Sequence, residues 1–359
     1  MAVETGRRGV KGLGFAAHGG PERVGWVDIP RPEPGPGEVR VRVRAAAFNR
    51  LDRFVLEGIP GVPTELPHVL GSDAAGVVDA VGEDVSDVPL GAEVLVNPAL
   101  WDGTCEYCLK GQESLCRNLR ILGEHTQGSA TELVVVPRRN VHSKPSGWSW
   151  AQAAAAPLVF QTAWRALRTV GELRPGETVA VIGAGGAVAP AAVQIAHRLG
   201  GRVAVVGRNA AKVERAVALG AEAGLVVSAE RSHDRLLWDW TKKRGVDVIF
   251  DSVGAETVPR SLRALARGGR LVVIGATEGP DVELDLRTLF WRQGSIRGST
   301  MASRAEFDQV YTELAQGHLV PVVDSEWEWE KGVDAFRRLG APDVFGKVVL
   351  RTSVSDVGT

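Results

Sequence analysis

The chain has 359 residues, 44 % of them hydrophobic and 24 % charged, with a formal net charge of −1. That length accommodates two domains with substantial cores, and 42 Lys and Arg spread among 43 Asp and Glu argue against a nucleic-acid-binding footprint. No stretch approaches the roughly 18 consecutive apolar residues of a membrane span, and Met1-Ala-Val-Glu-Thr-Gly-Arg-Arg8 lacks the apolar core of a secretory signal. A cytoplasmic protein that binds no membrane and no nucleic acid is therefore expected.

The first third reads as β-rich. Short β-branched or alternating runs at 24–29, 38–46, 75–81 and 93–97 are separated by turn-formers such as Pro30-Arg-Pro-Glu-Pro-Gly-Pro-Gly37. All three cysteines then fall in one window, Asp102-Gly-Thr-Cys105-Glu-Tyr-Cys108 followed by Cys116. The resulting D-x2-C-x2-C-x7-C spacing offers four ligands, Asp102, Cys105, Cys108 and Cys116, to a tetrahedral Zn²⁺. Four protein ligands leave no open position, so the ion would be structural. The other reading is a loop with three free thiols. Cysteines gathered this way suit a reducing compartment better than a disulfide framework.

From Trp150 the texture changes. Helix is expected over 151–156 and 162–170, followed by a regular alternation of strand (178–182), helix (189–199), strand (202–206), helix (210–219), strand (246–250), helix (258–265) and strand (270–274). Apolar strands interleaved with helices indicate a parallel, doubly wound sheet. A helix over 306–316 and a strand over 346–350 close the chain and need not belong to that sheet.

The strand over 178–182 runs into Gly183-Ala-Gly185-Gly186-Ala187-Val188-Ala189 and then into a helix. Glycines here permit a tight turn and close approach of a pyrophosphate, which would sit over the helix N-terminus. Ala189 replaces the last expected glycine, and Pro190 suits an early helical position. NAD sites place an acidic residue at the end of the second strand. Here Gly207-Arg208-Asn209 stands there, with Lys212 one turn on. A glycine leaves room for a 2′-phosphate and Arg208 can bind it as a fork, which points to NADP(H). The alternative is that Arg208 and Lys212 are solvated surface charges. Val253, Gly254, Ile274, Gly275 and Ala276 end later strands, at the face where ligands bind in such sheets.

These motifs resemble the medium-chain dehydrogenase/reductase superfamily over nearly the whole chain. The resemblance is carried by Phe48-Asn-Arg-Leu-Asp52, Leu70-Gly-Ser-Asp-Ala-Ala-Gly-Val-Val-Asp-Ala-Val-Gly82, the cysteine loop, residues 153–167, the glycine run, Asp251-Ser-Val-Gly254 and Phe345-Gly-Lys-Val-Val-Leu350. It implies an α/β architecture: a GroES-like β-rich catalytic domain (1–157, completed by 301–359) and a Rossmann NADP(H)-binding domain (158–300). It also implies cofactor contacts from Thr162 and Lys347, and a homodimer paired through an edge strand near Ser295-Ile-Arg-Gly-Ser299. At the positions matching the catalytic zinc ligands of alcohol dehydrogenases stand Asn49, Ser72 and Leu158, with Asp73 beside Ser72 and Leu51 in place of a hydroxyl relay residue. One oxygen ligand cannot replace a Cys/His/Cys set, so no catalytic zinc is expected. The pattern resembles a quinone-oxidoreductase-like branch that keeps the cysteine loop.

The reaction implied is hydride transfer from NADPH to an electron-poor C=C bond or quinone. Asn49 is a candidate oxyanion donor, because an amide N–H stabilises negative charge without titrating; its other reading is support of backbone beneath the nicotinamide. Asp52 is a candidate for local support or proton transfer. His125, in Leu122-Gly-Glu-His125-Thr-Gln-Gly128, is a candidate proton donor, whereas His68 reads as packing. Trp101, Phe160, Phe290 and Trp291 are candidates to line an apolar pocket. Ile59 follows Gly58 where acyl-thioester enoyl reductases of the superfamily carry a tyrosine, which weakens that subclass. A pathway-specific imine or enone reductase and a non-enzymatic NADPH-binding redox sensor are the alternatives.

Overall fold

The computed structural model describes residues 9–352; the N-terminal octapeptide, read above as lacking an export signal, lies outside them. The chain divides into two compact units, Met1–Leu158 with Val323–Thr359, and Val159–Val322.

The first unit is built on the long strand Glu38–Phe48. Its Val39, Val41 and Val43 are fully buried while the alternate Arg40 and Arg42 reach Asp79, as the period of two in a strand dictates. Beyond Arg44 the strand is buried on both faces as Ala45-Ala46-Ala47-Phe48. Asp73–Val81 and Leu133–Pro137 pair with it antiparallel, and the late strand Lys347–Arg351 pairs with its far end. The register Val348↔Phe48 brings Lys347 beside Asn49. Val323–Glu328 then pairs parallel to Lys347–Arg351. A second, three-stranded sheet holds Gly25–Ile29, Val10–Phe15 and His68–Val69. Helix Trp150–Ala155, capped by Ser149, presents small buried alanines to the main sheet.

The second unit is a six-stranded parallel sheet in the order Ala223–Val226, Arg202–Gly207, Thr178–Ile182, Val246–Asp251, Leu265–Val273, Ser295–Gly298. Numbered along the chain this is 3-2-1-4-5-6, the doubly wound order whose switch point lies between the first and fourth strands. Those two strands are buried throughout, as expected for strands covered by helices on both faces. The sequence places the return to the first unit at 301, but 301–322 stays with the second. Helix Arg304–Ala315 is tied there by Arg165–Glu306 (2.9 Å), Trp164–Gln309 (3.2 Å) and Arg198–Glu313 (2.7 Å). The helix expected over 162–170 is α-helical as Pro157–Trp164 and continues as a π-helical segment, Arg165–Val170, in which Gly171 N–H bonds Ala166 O (2.8 Å).

Phe250, wholly buried in the central strand, anchors the second core. Phe250→Ala should cost about 3–5 kcal/mol, read as a lowered urea midpoint for the unit.

Candidate functional site

The glycine turn and its partners assemble at the carboxyl ends of the first and fourth strands of the parallel sheet. Gly183 (φ +92°) and Gly186 (φ +75°) hold left-handed backbone that other residues rarely adopt. Gly183 and Ala184 N–H both bond Val206 O, at 2.9 and 3.0 Å, so the turn is laced to the second strand. Helix Val188–Arg198 follows with Ala187 at its N-cap and no capping side chain, which leaves first-turn N–H groups for an anion. A Cβ on Gly185 would lie 2.9 Å from Lys212 Nζ, so the Lys212 ammonium stands directly over the turn. These features fit a dinucleotide pyrophosphate.

Asp251 builds the other wall. Its buried carboxylate accepts from Val253 N (2.9 Å), Gly254 N (3.2 Å), Thr257 Oγ1 (2.9 Å) and Ser261 Oγ (3.1 Å). Ile274 N bonds Asp251 O (2.9 Å) and Glu278 N bonds Val253 O (2.9 Å), zipping the two loops together. A Cβ on Gly254 would lie 2.8 Å from Ala276 Cα, and one on Gly183 3.2 Å from Val253 Cγ2. Gly183, Val253, Gly254, Ile274 and Ala276 thus form one cluster, with Gly275 against Ser252. Thr162 sits apart on helix Pro157–Trp164, buried, 4.0 Å from Met301 Sδ.

Gly207 needs its small size for a reason the sequence did not disclose. A Cβ there would meet Ala184 Cβ at 2.7 Å and Val213 Cγ2 at 3.0 Å. Arg208 is exposed, within 3.6 Å of Glu278 and 4.0 Å of Glu256.

In the first unit the structure joins Asn49, Asp52 and Lys347 with Asp73 in one buried network. Lys347 Nζ donates to Asn49 Oδ1 and Asp73 Oδ2, both at 2.6 Å, and Asn49 Nδ2 donates to Asp73 Oδ2 at 2.9 Å. The other Asp73 oxygen accepts from Leu158 N (2.8 Å). Asp52 accepts from Asn49 N and Gly71 N, both at 2.6 Å. Asp52 and Asp73 are 0 %, Lys347 1 % and Asn49 6 % exposed. Lys347, expected among the cofactor contacts, therefore spends its ammonium inside the unit, on Asn49 and Asp73. Asp52, expected to support structure or move a proton, is a sealed clamp on two backbone N–H groups, and burial lifts its carboxyl to about 6. Asn49 keeps one amide N–H beyond the bond to Asp73. Ser72 is fully buried, and its Oγ has no partner among the described residues.

His125 lies on the loop after the cysteines. Its Nδ1 accepts from Ile121 N (3.2 Å), which selects the neutral tautomer with N–H on Nε2, and burial lowers its basicity. His68 is buried with Nε2 3.1 Å from Gly123 O, a packing role that pins the same loop. The residue that sequence reasoning passed over is Glu124. Its carboxyl is 3.9 Å from His125 Nδ1 and burial pushes it up to about 7; a lone Glu in a loop carries no motif. Of the aromatic candidates, Trp101 and Phe160 are buried, whereas Phe290 and Trp291 are 65 % and 68 % exposed and flank an open groove with Trp238 and Arg267.

The ligand atoms of Asp102, Cys105, Cys108 and Cys116 all lie within 4.8 Å of one another. Cys105 and Cys108 sulfurs are 3.6 Å apart, and all three cysteines are unbridged. Asp102 is oriented by Thr104 N (2.8 Å), Cys105 N (2.9 Å) and Asn118 Nδ2 (2.8 Å), the outer bonds that hold a metal ligand in place. Burial, with the crowding of the other three donors, pushes the Cys108 thiol up to about 12. Four converging acidic donors are the chemistry a Zn²⁺ relieves. No helix among the described residues is long and apolar enough to cross a membrane.

Two family models match the chain: the alcohol dehydrogenase GroES-like domain over residues 35–146 and the zinc-binding dehydrogenase model over 187–316. An NAD-dependent alcohol dehydrogenase of Sulfolobus acidocaldarius is 31 % identical over 312 residues, 86 % of either chain. An acryloyl-coenzyme A reductase of Metallosphaera sedula is 31 % identical over 80 % of this chain and 84 % of its own. A crystal structure of an NAD-dependent alcohol dehydrogenase superposes with a TM-score of 0.89 at 42 % identity, covering 95 % of this chain and 99 % of that one. With its GroES-like and Rossmann units, this chain is a member of the medium-chain alcohol dehydrogenase/reductase family of oxidoreductases.

Proposed function

We propose that the protein is an NADPH-dependent reductase that delivers hydride to an electron-poor C=C bond or quinone without a catalytic metal. The observation that carries this reading is the Asn49–Asp73–Lys347 network. Where alcohol dehydrogenases of the family are expected to hold a catalytic ion, this chain offers an amide, a hydroxyl and Leu158, and an ammonium already bonded to the carboxylate. A second cation would meet that ammonium at short range in a low-dielectric interior. Similarity to an acryloyl-coenzyme A reductase supports C=C reduction, while alcohol dehydrogenases are equally similar, so the choice between the two reactions rests on the network.

When bound, a nicotinamide supplies the hydride. Lys347 and Asp73 hold the Asn49 amide in one orientation, and the amide N–H left over stabilises the oxyanion that develops on the acceptor. The turn at 183–186 and Lys212 bind the pyrophosphate, and Arg208 binds the 2′-phosphate. The paired acids Glu256 and Glu278 are loose enough, at 4.0 and 3.6 Å, to release it.

Oxidation of NADPH followed at 340 nm with 2-cyclohexenone, 9,10-phenanthrenequinone and an enoyl thioester tests the reading. EDTA-resistant turnover that favours NADPH over NADH is expected; NADPH binding with no turnover of any acceptor sinks it in favour of a sensor. Arg208→Ser should raise the KM for NADPH by about 10- to 100-fold, the worth of a charged hydrogen bond, and leave that for NADH unchanged.

The cysteine loop is proposed to hold one structural Zn²⁺. Metal analysis should return about one zinc per chain and none in Cys108→Ser, with a lower melting temperature on chelation; a folded, equally stable zinc-free protein refutes it. Ser295–Gly298 ends the parallel sheet with an open edge, which supports a homodimer: light scattering should give twice the 38.2 kDa chain mass, and a monomer at micromolar concentration argues against it.

A further inference from the structure

We propose that Glu124 is the catalytic acid of this protein, the group that supplies the proton after hydride transfer. The assignment rests on the reductase reading above and deepens it, giving the task to a residue other than the histidine that follows it.

The geometry places the loop that carries Glu124 against the polar network. Gly123 packs so closely on the turn before Ser72 that a Cβ on it would lie 2.3 Å from Gly71 O. Gly71 N in turn bonds the Asp52 carboxylate, whose other oxygen holds the backbone of Asn49. The loop is fixed there from behind by His68 Nε2 to Gly123 O and from within by Glu124 N to Ile121 O (3.0 Å). The Glu124 side chain is 12 % exposed, and no group among the described residues hydrogen-bonds its carboxyl. It is enclosed enough to be selective and open enough to exchange a proton.

The other titratable groups here are committed. Asp52 is sealed from solvent with both oxygens bonded to backbone. Lys347 is bonded to Asn49 and Asp73. His68 is buried against Gly123. The His125 nitrogen nearest Glu124 already accepts from Ile121 N, so its ring is a neutral hydrogen-bond donor through Nε2 rather than an acid. Arg120, on the strand before the loop, acts on His125 and disfavours its protonation further.

Electrostatics agrees with this division. Burial, with the Asp52 carboxylate adding in the same direction, lifts Glu124 to about 7, close to the operating pH at which a general acid works best. As hydride from a dihydronicotinamide adds to the electron-poor carbon of an enone, the π pair moves to the neighbouring carbon and oxygen. The Glu124 O–H bond breaks and its proton forms the new C–H or O–H bond. The acceptor has then gained two electrons, the dihydronicotinamide is oxidised, and the Glu124 carboxylate regains a proton from water.

The test uses the full chain and two readouts. A carboxyl ¹³C titration of glutamate-labelled protein should show a resonance with a midpoint near 7 that is missing in Glu124→Gln. With 2-cyclohexenone and NADPH, kcat should fall as pH rises through about 7. Glu124→Gln should lose roughly 100-fold or more in kcat with NADPH affinity retained, Glu124→Asp should recover part of it, and His125→Gln should keep the alkaline limb. If Glu124→Gln fails to fold, Glu124→Asp and the wild-type titration still decide. Wild-type turnover with an unimpaired Glu124→Gln, or a Glu124 midpoint in the ordinary carboxylate range, overturns the assignment alone. A wild-type protein that reduces no acceptor overturns the reductase reading, and the assignment falls with it.

Discussion

The buried pair of Lys347 and Asp73 is the interaction on which the first unit turns. The two residues are 274 positions apart and meet at 2.6 Å with essentially no exposure. Taking both charges out of water costs several kcal/mol, and only close geometry with further hydrogen bonds offsets it. Asn49 and the backbone of Leu158 supply those bonds. The pair in turn depends on one register, Val348 opposite Phe48, because a slip of one residue would turn Lys347 to the other face of the sheet. Closure of the fold by the late strand and construction of the polar network are therefore one event.

Under the proposed metal-free reading, the same network takes the place of a catalytic ion. A metal polarises a substrate oxygen by charge; here the charge is an ammonium that belongs to the chain. It is presented indirectly, through an amide whose carbonyl it holds and whose N–H groups it thereby polarises. An amide does not titrate, so such a site keeps its hydrogen-bond donor across the physiological pH range. The titrating element stands to one side, in the loop after the cysteines, where burial first and the Asp52 carboxylate second raise the carboxyl of Glu124. The Rossmann unit solves a different problem with backbone rather than side chains: glycines at close approach, an uncapped helix start and one lysine over the turn.

Much of this was legible in the sequence. The alternation after residue 178 specified the parallel sheet, since buried strands of β-branched residues and amphipathic helices have different periods. The strand Thr178–Ile182 falls where the pattern puts it. The cysteine loop was legible from spacing alone, because its four donors are local in sequence. Less legible were strands whose polar residues mask the alternation, such as Val323–Glu328, and the exchange of 301–322 between units, which depends on ion pairs to residues more than a hundred positions away.

By itself the sequence determined the strand–helix alternation of the parallel sheet, the glycine turn and the metal-like loop. These rest on residue type and short spacing, which are local in the chain. The tertiary structure decided what each polar residue is available to do. Lys347 belongs to Asn49 and Asp73 because strand register places it there. Gly207 is small because Ala184 and Val213 crowd it. His125 is a neutral donor and Glu124 an acid poised near neutrality because burial and neighbours set proton affinity, and neither is encoded in the identity of the residue.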